Sequence, residues 1–594
     1  MIDIDVILVT YNSEKWIPGC LSSLEKANYP KEKITLTFVD NNSTDKTREL
    51  LENYKGKQTF GAFNTFFMEK NLGFGKGNNY GVEKTNQAYV YFLNVDTEID
   101  EDCFLALSNA VEKGPSEAAL WESRQFPYEH PKVYNPVTLE TSWSSGACML
   151  VDRQRFIEVG MFDDKIFMYG EDVDLSWRMR AHGYKLQYIS KSIVTHYTYM
   201  SANEVKPNQF YNSTYMNFML RYKFGTWKDI FKGYAMYHGL FFVNGPSEGH
   251  KKIIFKKIIG SFFEGMKYRR WYRKNKDKNF KPGFKLWDYE IIRDGAFYVN
   301  QLPAEQPLVS VLIRTCGRPN VLREALISVR NQTYKNIEVV VVEDGPDISR
   351  SMIATEFADL NIVYQATGES VGRCEVGNIA LATATGIYFN FLDDDDLFYA
   401  EHVEVLVDQL LQHPNHKAAY SISFEVPTEV ISREPYVYKE LFHNVQHKQP
   451  FNRLVLMHHN YFPIQTVMFK RELYEELGGI DLSLEVLEDW DLWLRYALRH
   501  NFKYVEKLTS LYRIPAHPVH HGNRQELFDR YLQIVRNKHM NQRLEITMAD
   551  IFKDAEYLMN KPATIIHTIR RMNARTFAFK VRNKLFYWAK RVLK

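Results

Sequence analysis

The sequence has few cysteines and no long apolar run. Its 594 residues include five cysteines, an odd number, widely spaced and without a C-x-x-C pair. This pattern supports neither a disulfide framework nor a thiolate zinc site, and it predicts a reduced, cytoplasmic setting. No apolar run approaches the roughly 20 residues that span a bilayer. The strand pattern begins at residue 4, so we expect no signal peptide.

Charge is distributed unevenly along the chain. The formal net charge is +3, yet residues 251–285 hold thirteen Lys and Arg against two acids, and residues 557–594 hold ten against none. The remaining residues therefore carry a net charge of −18. Acidic domains with basic attachments are the opposite of a nucleic-acid binder, whose basic surface crosses its core. We predict no nucleic acid among the partners.

One set of acidic and glycine landmarks occurs twice, in the same order and about half a chain apart. A repeat this long is a whole domain, so two related catalytic modules are predicted. The first copy comprises Thr10-Tyr11-Asn12, Asp40-Asn41-Asn42, Asn78, Asn94-Val95-Asp96 and residues 160–163 and 171–175; the second comprises Thr315-Cys316-Gly317, Glu343-Asp344-Gly345, Asn378 and residues 393–396, 478–481 and 488–492.

The hydrophobic pattern in each half predicts an α/β fold. Residues 4–9 and 34–40 are typical of buried strands, and residues 13–26 between them predict a helix with Ser13 as its N-cap. Nearly continuous apolar strands between helices indicate a mostly parallel sheet covered on both faces. Further predicted strands are 88–93, 309–314, 337–343 and 387–392.

Two stretches lack the strand pattern. Residues 200–300 are rich in aromatic residues and lysines, and we expect helices and a linker there. After about residue 525 the chain is predicted to be helical to its end. The predicted domains are a first module at 1–200, a helical linker at 201–306, a second module at 307–525 and a C-terminal helical region at 526–594.

Four consecutive carboxylates, residues 393–396, follow a predicted strand. They repel one another unless water or a divalent cation compensates them, and oxygen ligands favour Mg²⁺ or Mn²⁺. An exposed acidic turn is the alternative. The run ends an apolar strand, where open α/β sheets bind ligands, and it recurs as Asn94-Val95-Asp96. These facts favour a metal site for a phosphate-bearing substrate.

The pairs Glu171-Asp172 and Glu488-Asp489 each precede a helical pattern. Carboxylates at a helix N-terminus are favourable partners of the helix dipole, and this is the alternative to a catalytic role. Both pairs follow a glycine turn at matched distances, which favours a shared function. A carboxylate in that place is suited to act as a general base on a hydroxyl.

Taken together, these motifs resemble inverting family 2 glycosyltransferases of the GT-A fold, over roughly residues 4–200 and 308–525. The stretch from Ser145 to Arg178 is similar to the rhamnosyl- and galactofuranosyltransferase branch. The resemblance implies two GT-A modules with Rossmann-like, mostly parallel sheets, nucleotide-sugar donors and Mg²⁺ or Mn²⁺. Asn94 stands where that family has Asp, which makes it a neutral and weaker ligand.

The resemblance also implies roles for individual residues. The histidine ligand of the second module is one of His517, His520 and His521, and His517 is favoured because it follows Tyr512-Arg513 most closely. The implied catalytic residues are Asp172 and Asp489 as bases, with Glu171 and Glu488; the donor-binding residues are Thr10, Asn12, Asp40, Asn78, Thr315, Asp344, Arg373 and Asn378; the metal ligands are Asn94, Asp96, His196, Asp393, Asp395 and His517.

Residues 577–594 place apolar side chains along one helical face with basic residues away from it. This is typical of a helix lying on an anionic membrane, and a helix packed on the protein body is an equal alternative. Residues 251–274 offer a second such surface, with Phe262, Phe263, Tyr268, Trp271 and Tyr272 among basic residues.

The sequence therefore predicts a bifunctional glycosyltransferase, peripheral to the inner face of the cell membrane, that extends a lipid-linked bacterial surface polysaccharide. Three alternatives stay open. One module could bind sugar without catalysis, both could alternate as a polymerase, or the protein could be a nucleotidyltransferase. The last is disfavoured because the Glu-Asp pairs suit hydroxyl activation on a sugar.

Overall fold

The computed structural model describes residues 1–199, 201–202, 204–275, 278, 280–543 and 547–560, with only the backbone at 518–525 and 557–560. The chain divides into two units, Met1–Val299 and Asn300–Lys594. The predicted amphipathic tail at 577–594 lies outside the described residues. No described helix is long and apolar enough to cross a membrane.

The first unit is built around an eight-stranded mixed sheet. Strands β3, β2, β1 and β4 are parallel neighbours, and β7, β6, β8 and β5 continue the sheet in that order. Its strands are β1 Ile4–Thr10, β2 Ile34–Asp40, β3 Ala62–Phe67, β4 Tyr89–Leu93, β5 Thr97–Ile99, β6 Ala118–Phe126, β7 Cys148–Asp152 and β8 Lys185–His196, with a separate hairpin of β9 Phe284–Lys285 and β10 Asp288–Tyr289.

Helices cover this sheet and continue beyond it. Helix α6 begins at the Glu-Asp pair, and α7 to α9 account for most of the predicted linker. The helices are α1 Ile17–Lys26, α2 Thr47–Lys55, α3 Phe74–Glu83, α4 Cys103–Lys113, α5 Arg153–Glu158, α6 Glu171–Ala181, α7 Pro207–Phe224, α8 Trp227–Gly239 and α9 His250–Lys274.

The second unit repeats the strand order. Its sheet runs β13-β12-β11-β14-β18-β16-β19-β15, with β17 added beside β16. The strands are β11 Val309–Thr315, β12 Ile337–Glu343, β13 Ile362–Ala366, β14 Tyr388–Asp393, β15 Leu397–Phe398, β16 Ala418–Arg433, β17 Tyr436–Glu440, β18 Val467–Lys470 and β19 Phe502–Pro515.

The helices of the second unit also repeat those of the first. Helix α12 begins at the position equivalent to the start of α3, and α16 begins at the position equivalent to the start of α6. They are α10 Pro319–Arg330, α11 Arg350–Glu356, α12 Arg373–Thr383, α13 His402–Gln412, α14 Arg453–His458, α15 Arg471–Leu477, α16 Glu488–Ala497, α17 Pro518–His539 and α18 Met548–Asn560. The predicted α/β fold of two Rossmann-like modules is confirmed.

Two local predictions are corrected. Ser13 is not the N-cap of α1, which begins at Ile17, because its hydroxyl accepts from the Tyr11 backbone and Pro18 opens the first turn. Residues 200–300 are not free of strands, since the β9–β10 hairpin lies there.

A lysine on the helix after each sheet binds one aspartate before α6 or α16 and one within that helix; Lys223 is 3% exposed and Lys538 is 32% exposed. Lys223 on α7 contacts both Asp163 (2.7 Å) and Asp174 (2.5 Å). Lys538 on α17 contacts Asp481 (2.5 Å) and Asp491 (2.6 Å) in the same way. The duplication therefore extends past the sheet into a helix of each unit, beyond the predicted edges at residues 200 and 525.

We expect Lys223→Met to destabilise the first unit by about 3–5 kcal/mol, because it removes the buried ammonium that Asp163 and Asp174 share, and Arg178 then remains for Asp174 alone. Lys223 is 3% exposed. The matched control is Lys165→Met, whose ammonium is 62% exposed and lies 3.9 Å from the same Asp163; its loss should cost under about 1 kcal/mol. Urea unfolding of both variants measures the difference, and equal losses would contradict the assignment.

Candidate active sites

The first unit brings the three predicted metal ligands together. Asn94 follows β4, Asp96 precedes β5, and His196 is the last residue of β8, which pairs with β5. The Nε2 atom of His196 lies 3.4 Å from Asp96 Oδ1 and 3.5 Å from Asn94 Nδ2. The connection from β4 to β5 and the distant end of β8 thus place an amide, a carboxylate and an imidazole at one point.

This donor set fits a divalent cation. His196 Nδ1 lies 2.8 Å from Gln125 Oε1. In the neutral ring that contact puts the proton on Nδ1 and leaves the Nε2 lone pair facing Asp96, as a metal-binding histidine requires. Among the described residues no cluster of three His, Cys, Asp or Glu side chains is arranged for a metal, and here an amide supplies the third donor.

Glu171 and Asp172 open α6 beside this triad. The preceding Gly170 has φ 86°, a left-handed conformation that turns the chain into the helix. Asp172 accepts from the backbone N–H of Gly146 (3.1 Å) and Val173 (2.8 Å). Burial, and then the charge of Asp172, raises the pKa of Glu171 to about 8; burial also raises the pKa of Asp172. A raised pKa suits a carboxylate that must accept a proton.

A cavity of about 520 Å³ joins the triad to the Glu-Asp pair. Its lining includes Asn94, Asp96, His196, Glu171 and Asp172. The four predicted donor-binding residues of this unit do not line it: Thr10, Asn12, Asp40 and Asn78.

Asp40, one of the predicted donor-binding residues, is buried in a polar network. It accepts from Thr10 Oγ1 (3.1 Å), from the Ser43 backbone (3.0 Å) and from Arg48 Nε (2.7 Å). Asn12 Oδ1 accepts from the Thr44 backbone (2.9 Å). These bonds fix the loops at the carboxyl ends of β1 and β2, where a nucleotide would bind in such a sheet.

In the second unit, arginines surround the equivalent acidic residues. Arg314 binds Asp393 with Nε (2.8 Å) and Nη2 (2.9 Å), and its Nη1 lies 3.0 Å from Glu488. Arg373 Nε lies 3.1 Å from Glu488, and its Nη2 lies 3.5 Å from Asp393. Burial opposes ionisation of Asp393, but the charges of Arg314 and Arg373 outweigh it and lower its pKa.

The other three carboxylates of the run have different surroundings. Asp394 is buried and accepts from Thr315 Oγ1 (2.7 Å) and Arg318 Nε (3.1 Å). Asp396 is buried and accepts from the Arg513 backbone (3.2 Å). Asp395 is 40% exposed, with Arg318 3.5 Å away. Arginines and backbone therefore compensate most of the charge, and Asp395 is the ligand best placed to bind a cation.

Asp489 lies at the start of α16, as Asp172 does at the start of α6. Its Oδ2 accepts from Asn460 Nδ2 (2.8 Å) and its Oδ1 from the Trp490 backbone (2.8 Å). Burial, and then the charge of Glu488, raises its pKa to about 7. A cavity of about 590 Å³ is lined by Arg373, Asp393, Asp395, Glu488 and Asp489, among others.

The family model for glycosyl transferase family 2 matches residues 5–176 and 310–478, which together are more than half of the chain. The chain belongs to this family. Each unit therefore contains one family 2 domain, whose matched region holds the carboxyl ends of the parallel strands.

Curated relatives resemble only part of the chain. A glycosyltransferase of Rickettsia typhi is 29% identical over 32% of this chain and 58% of its own length, so the chain spans little over half of that relative. WcaA of Escherichia coli (strain K12), named for colanic acid biosynthesis, is 26% identical over 37% of this chain and 75% of its own length. Among solved structures, S. aureus TarS is 17% identical and covers 47% of this chain and 53% of its own, with a TM-score of 0.32.

At the end of the second strand, the residue equivalent to Asp40 is Glu343, one position before the predicted Asp344. Asp40 pairs with the last residue of β1, and Glu343 with the last residue of β11. Each accepts from a serine backbone N–H in the following loop, at 3.0 Å. Asp344, predicted to be the equivalent of Asp40, instead accepts from the Val371 backbone (2.7 Å) and so holds the loop before α12.

A second correction concerns the paired asparagines. Asn378 accepts from the Ile480 backbone N–H (2.7 Å) and donates to its carbonyl (2.9 Å). In the first domain Asn79 exchanges the same bonds with Phe162 (3.1 and 3.0 Å), whereas Asn78 donates to a carbonyl on its own helix. Asn378 therefore corresponds to Asn79, and each holds the glycine turn before the helix that begins with the Glu-Asp pair.

Sequence reasoning missed Arg314 on β11. The equivalent position on β1 of the first domain is Val9. Phe74 likewise stands where the second domain has Arg373. By strand register, Tyr512 occupies the position of His196. His517, the predicted ligand, is exposed beyond the end of β19 and is not among the residues that line the cavity.

The two transfers should differ in pH dependence. A general base must be deprotonated, so the rate should rise with pH as the Glu-Asp pair loses its proton. Burial and the neighbouring carboxylate raise the pKa of Glu171 to about 8 and that of Asp489 to about 7, so the pair in the first domain should lose its last proton at higher pH than the pair in the second. The measurement is kcat/KM against pH for each acceptor, with the other domain inactivated; the reverse order would contradict it.

Proposed function

We propose that the protein is a bifunctional, inverting glycosyltransferase that adds sugars from nucleotide-diphosphate donors to a lipid-linked bacterial surface polysaccharide. The observation that carries the proposal is the recurrence, in both units, of a buried glutamate and a half-buried aspartate at a helix start beside an acidic strand end, with a cavity between them. The name of WcaA, with its link to colanic acid biosynthesis, supports a polysaccharide product.

In each domain the aspartate acts on the acceptor. Asp172 or Asp489 takes the proton of the acceptor hydroxyl, whose oxygen forms a bond to the anomeric carbon from the face opposite the leaving group. The bond from that carbon to the diphosphate oxygen breaks, and the nucleoside diphosphate leaves with the electron pair. This single displacement inverts the anomeric configuration.

The leaving diphosphate gains negative charge that must be offset. In the first domain Asn94, Asp96 and His196 would hold a cation, and in the second Asp395 would. A bound Mg²⁺ or Mn²⁺ supplies Lewis-acid neutralisation of that charge. In the second domain Arg318 and Arg373 add fixed positive charge. Their side chains lie beside the carboxylates and are 46% and 48% exposed, so they are accessible to a diphosphate.

A second candidate is that only one domain is catalytic and the other binds and positions the glycan. Asn94 favours it, because a neutral amide replaces the first carboxylate of the metal motif in the first domain. Its surroundings argue against a loss of function, since Val9 and Phe74 stand where the second domain has Arg314 and Arg373, so neutral residues replace the carboxylate and its two arginines together.

The experiment is to incubate the full chain with a panel of nucleotide sugars and a lipid-linked acceptor, and to weigh the products. Two new linkages with release of nucleoside diphosphate support the proposal. Formation of a single linkage, abolished by one of Asp172→Asn and Asp489→Asn and retained by the other, supports the second candidate. Pyrophosphate release would identify a nucleotidyltransferase, and no turnover would refute all three.

We further propose that an anionic membrane surface is a partner. Basic and apolar side chains are exposed together on α8, α9 and the turn between them, here termed the α8–α9 surface. It comprises Phe231, Phe242, Phe255, Ile259, Phe262 and Phe263 with Lys232, Lys252, Lys256, Lys267 and Arg270. Of the aromatic residues predicted for this surface, Tyr268 is buried instead, 3% exposed.

The double variant Phe262→Ser, Phe263→Ser should weaken binding to anionic vesicles at least about tenfold, because each phenylalanine buries apolar area worth about 1.5–3 kcal/mol when fully covered. Ile157→Ser, on α5 and 52% exposed, is the control. Vesicle sedimentation measures both, and deletion of 577–594 is tested in parallel. High salt should weaken binding by screening the lysines. Equal sedimentation of the three variants and the intact chain would contradict both predicted surfaces.

A further inference from the structure

The segment that follows α9 folds back onto the first unit. Its side chains make two ion pairs there, Glu290 with Arg180 (2.6 Å) and Arg293 with Glu129 (2.8 Å). Two isolated β-bridges add backbone pairing, one of them between Ile292 and Lys132. This segment lies outside the residues 5–176 that match the family model, yet it is fixed against the catalytic domain.

The segment completes a row of aromatic rings along one side of the first cavity. Ring centroids are 4.6 Å apart for Tyr199 and Tyr128, and 5.2 Å for His130 and Trp143. Tyr128 contacts His130 at 5.3 Å, and Trp143 contacts Tyr289 of the segment at 6.0 Å. Each of these five rings lines the cavity.

Trp287 and Asp288 of the same segment also line this cavity, together with Asp172. Trp287 is half-buried, and its backbone carbonyl accepts from Asn217 on α7 (3.1 Å). Its position is therefore set by the core of the unit. An indole held in this way offers apolar area without a large entropic cost of ordering.

The row of rings lies on the acceptor side of the site. The sheet order places β1 and β2, with the predicted nucleotide residues, on one side of β4, and β7, β6 and β8 on the other. The loop that carries Tyr128, His130 and Trp143 joins β6 to β7. Burial, and then the charge of Asp172, raises the pKa of Tyr289, consistent with a ring close to the base.

We propose that Trp287 is the stacking platform for a pyranose of the acceptor glycan, and that the segment at 284–292 is a wall of the first acceptor site. This rests on the proposed function. Pyranose C–H faces pack on aromatic rings, while hydroxyls require the few polar groups that such a cavity supplies. Glu171, Asp172 and Asp288 line the cavity together with Lys132 and Lys206, and these side chains supply the polar groups that sugar hydroxyls require.

The test uses the full chain with methyl β-glycosides of glucose, galactose and N-acetylglucosamine as probes, followed by ligand-observed NMR. The variants are Trp287→Ala, Trp287→Phe and, as the matched control, Leu286→Ala. Leu286 is the adjacent residue, 71% exposed and not part of the cavity lining. Trp287→Phe keeps a ring and guards against loss of folding.

We expect at least one glycoside to bind the intact chain and Leu286→Ala equally, and Trp287→Ala to raise its Kd about tenfold or more, or about 1.4 kcal/mol. Trp287→Phe should fall between them. Binding of no glycoside, or equal binding by all variants, would overturn the inference. Binding of UDP- and GDP-sugars by the intact chain is measured alongside: its absence would count against the proposed function, whereas donor binding without glycoside binding would count against the stacking platform alone.

Discussion

Asp172→Asn should lower the rate of one transfer by about 10²- to 10⁴-fold and leave the other transfer unchanged, with Asp489→Asn showing the reverse pattern. The amide keeps the shape of the carboxylate but cannot take a proton at neutral pH. Both aspartates are held by backbone N–H groups, at 2.8 Å from Val173 and from Trp490. Donor binding should therefore change little.

The measurement follows each linkage with its own acceptor, by product mass and single-turnover rate. Each variant is the control for the other, since both carry the same chemical change in a different unit. Loss of both linkages in a single variant would disprove two independent active sites. Loss of neither would remove the aspartates from the mechanism.

Removal of the divalent cation should abolish both transfers, and Asp96→Ala and Asp395→Ala should each reproduce that loss for one linkage. Neutralisation of a leaving diphosphate by a cation contributes several kcal/mol, so we expect a fall of at least about 10²-fold. Asp395 is the most exposed carboxylate of its run, 40%, and is free to face the donor.

The measurement combines chelator titration of each transfer with Mn²⁺ binding followed by electron paramagnetic resonance. Glu506→Ala is the control, because that carboxylate is 63% exposed and pairs with Lys448 on the surface. Full transfer by Asp395→Ala in excess chelator would remove the metal from the second site. Unchanged Mn²⁺ binding by Asp96→Ala would remove this aspartate from the first.

The sequence predicted the sheet and the catalytic helices because their signals are local. Apolar runs such as 4–9 and 309–314 specify buried strands, and each Glu-Asp pair lies at the start of its helix. The approach of Asn94, Asp96 and His196 in the structure agrees with their predicted common role, which remains a prediction.

The parts that could not be predicted depend on register and on distant partners. The resemblance implies Asp344 as the donor-binding residue after the second strand, whereas strand register places Glu343 at the position of Asp40. A shift of one residue turns a side chain to the other face of a strand. Arg314 was missed because it lies 79 residues before Asp393, and no local pattern joins them.

A fragment that contains the first domain alone must extend beyond residue 176, where the family match ends. Trp177 is fully buried, and its ring contacts Phe224 and Phe284 at 5.2 Å and Tyr289 at 5.5 Å. A fragment that ends at residue 200 would expose this tryptophan and strip Asp163 and Asp174 of Lys223. A stand-alone half for expression and crystallisation should therefore end near residue 299, where the compact unit ends.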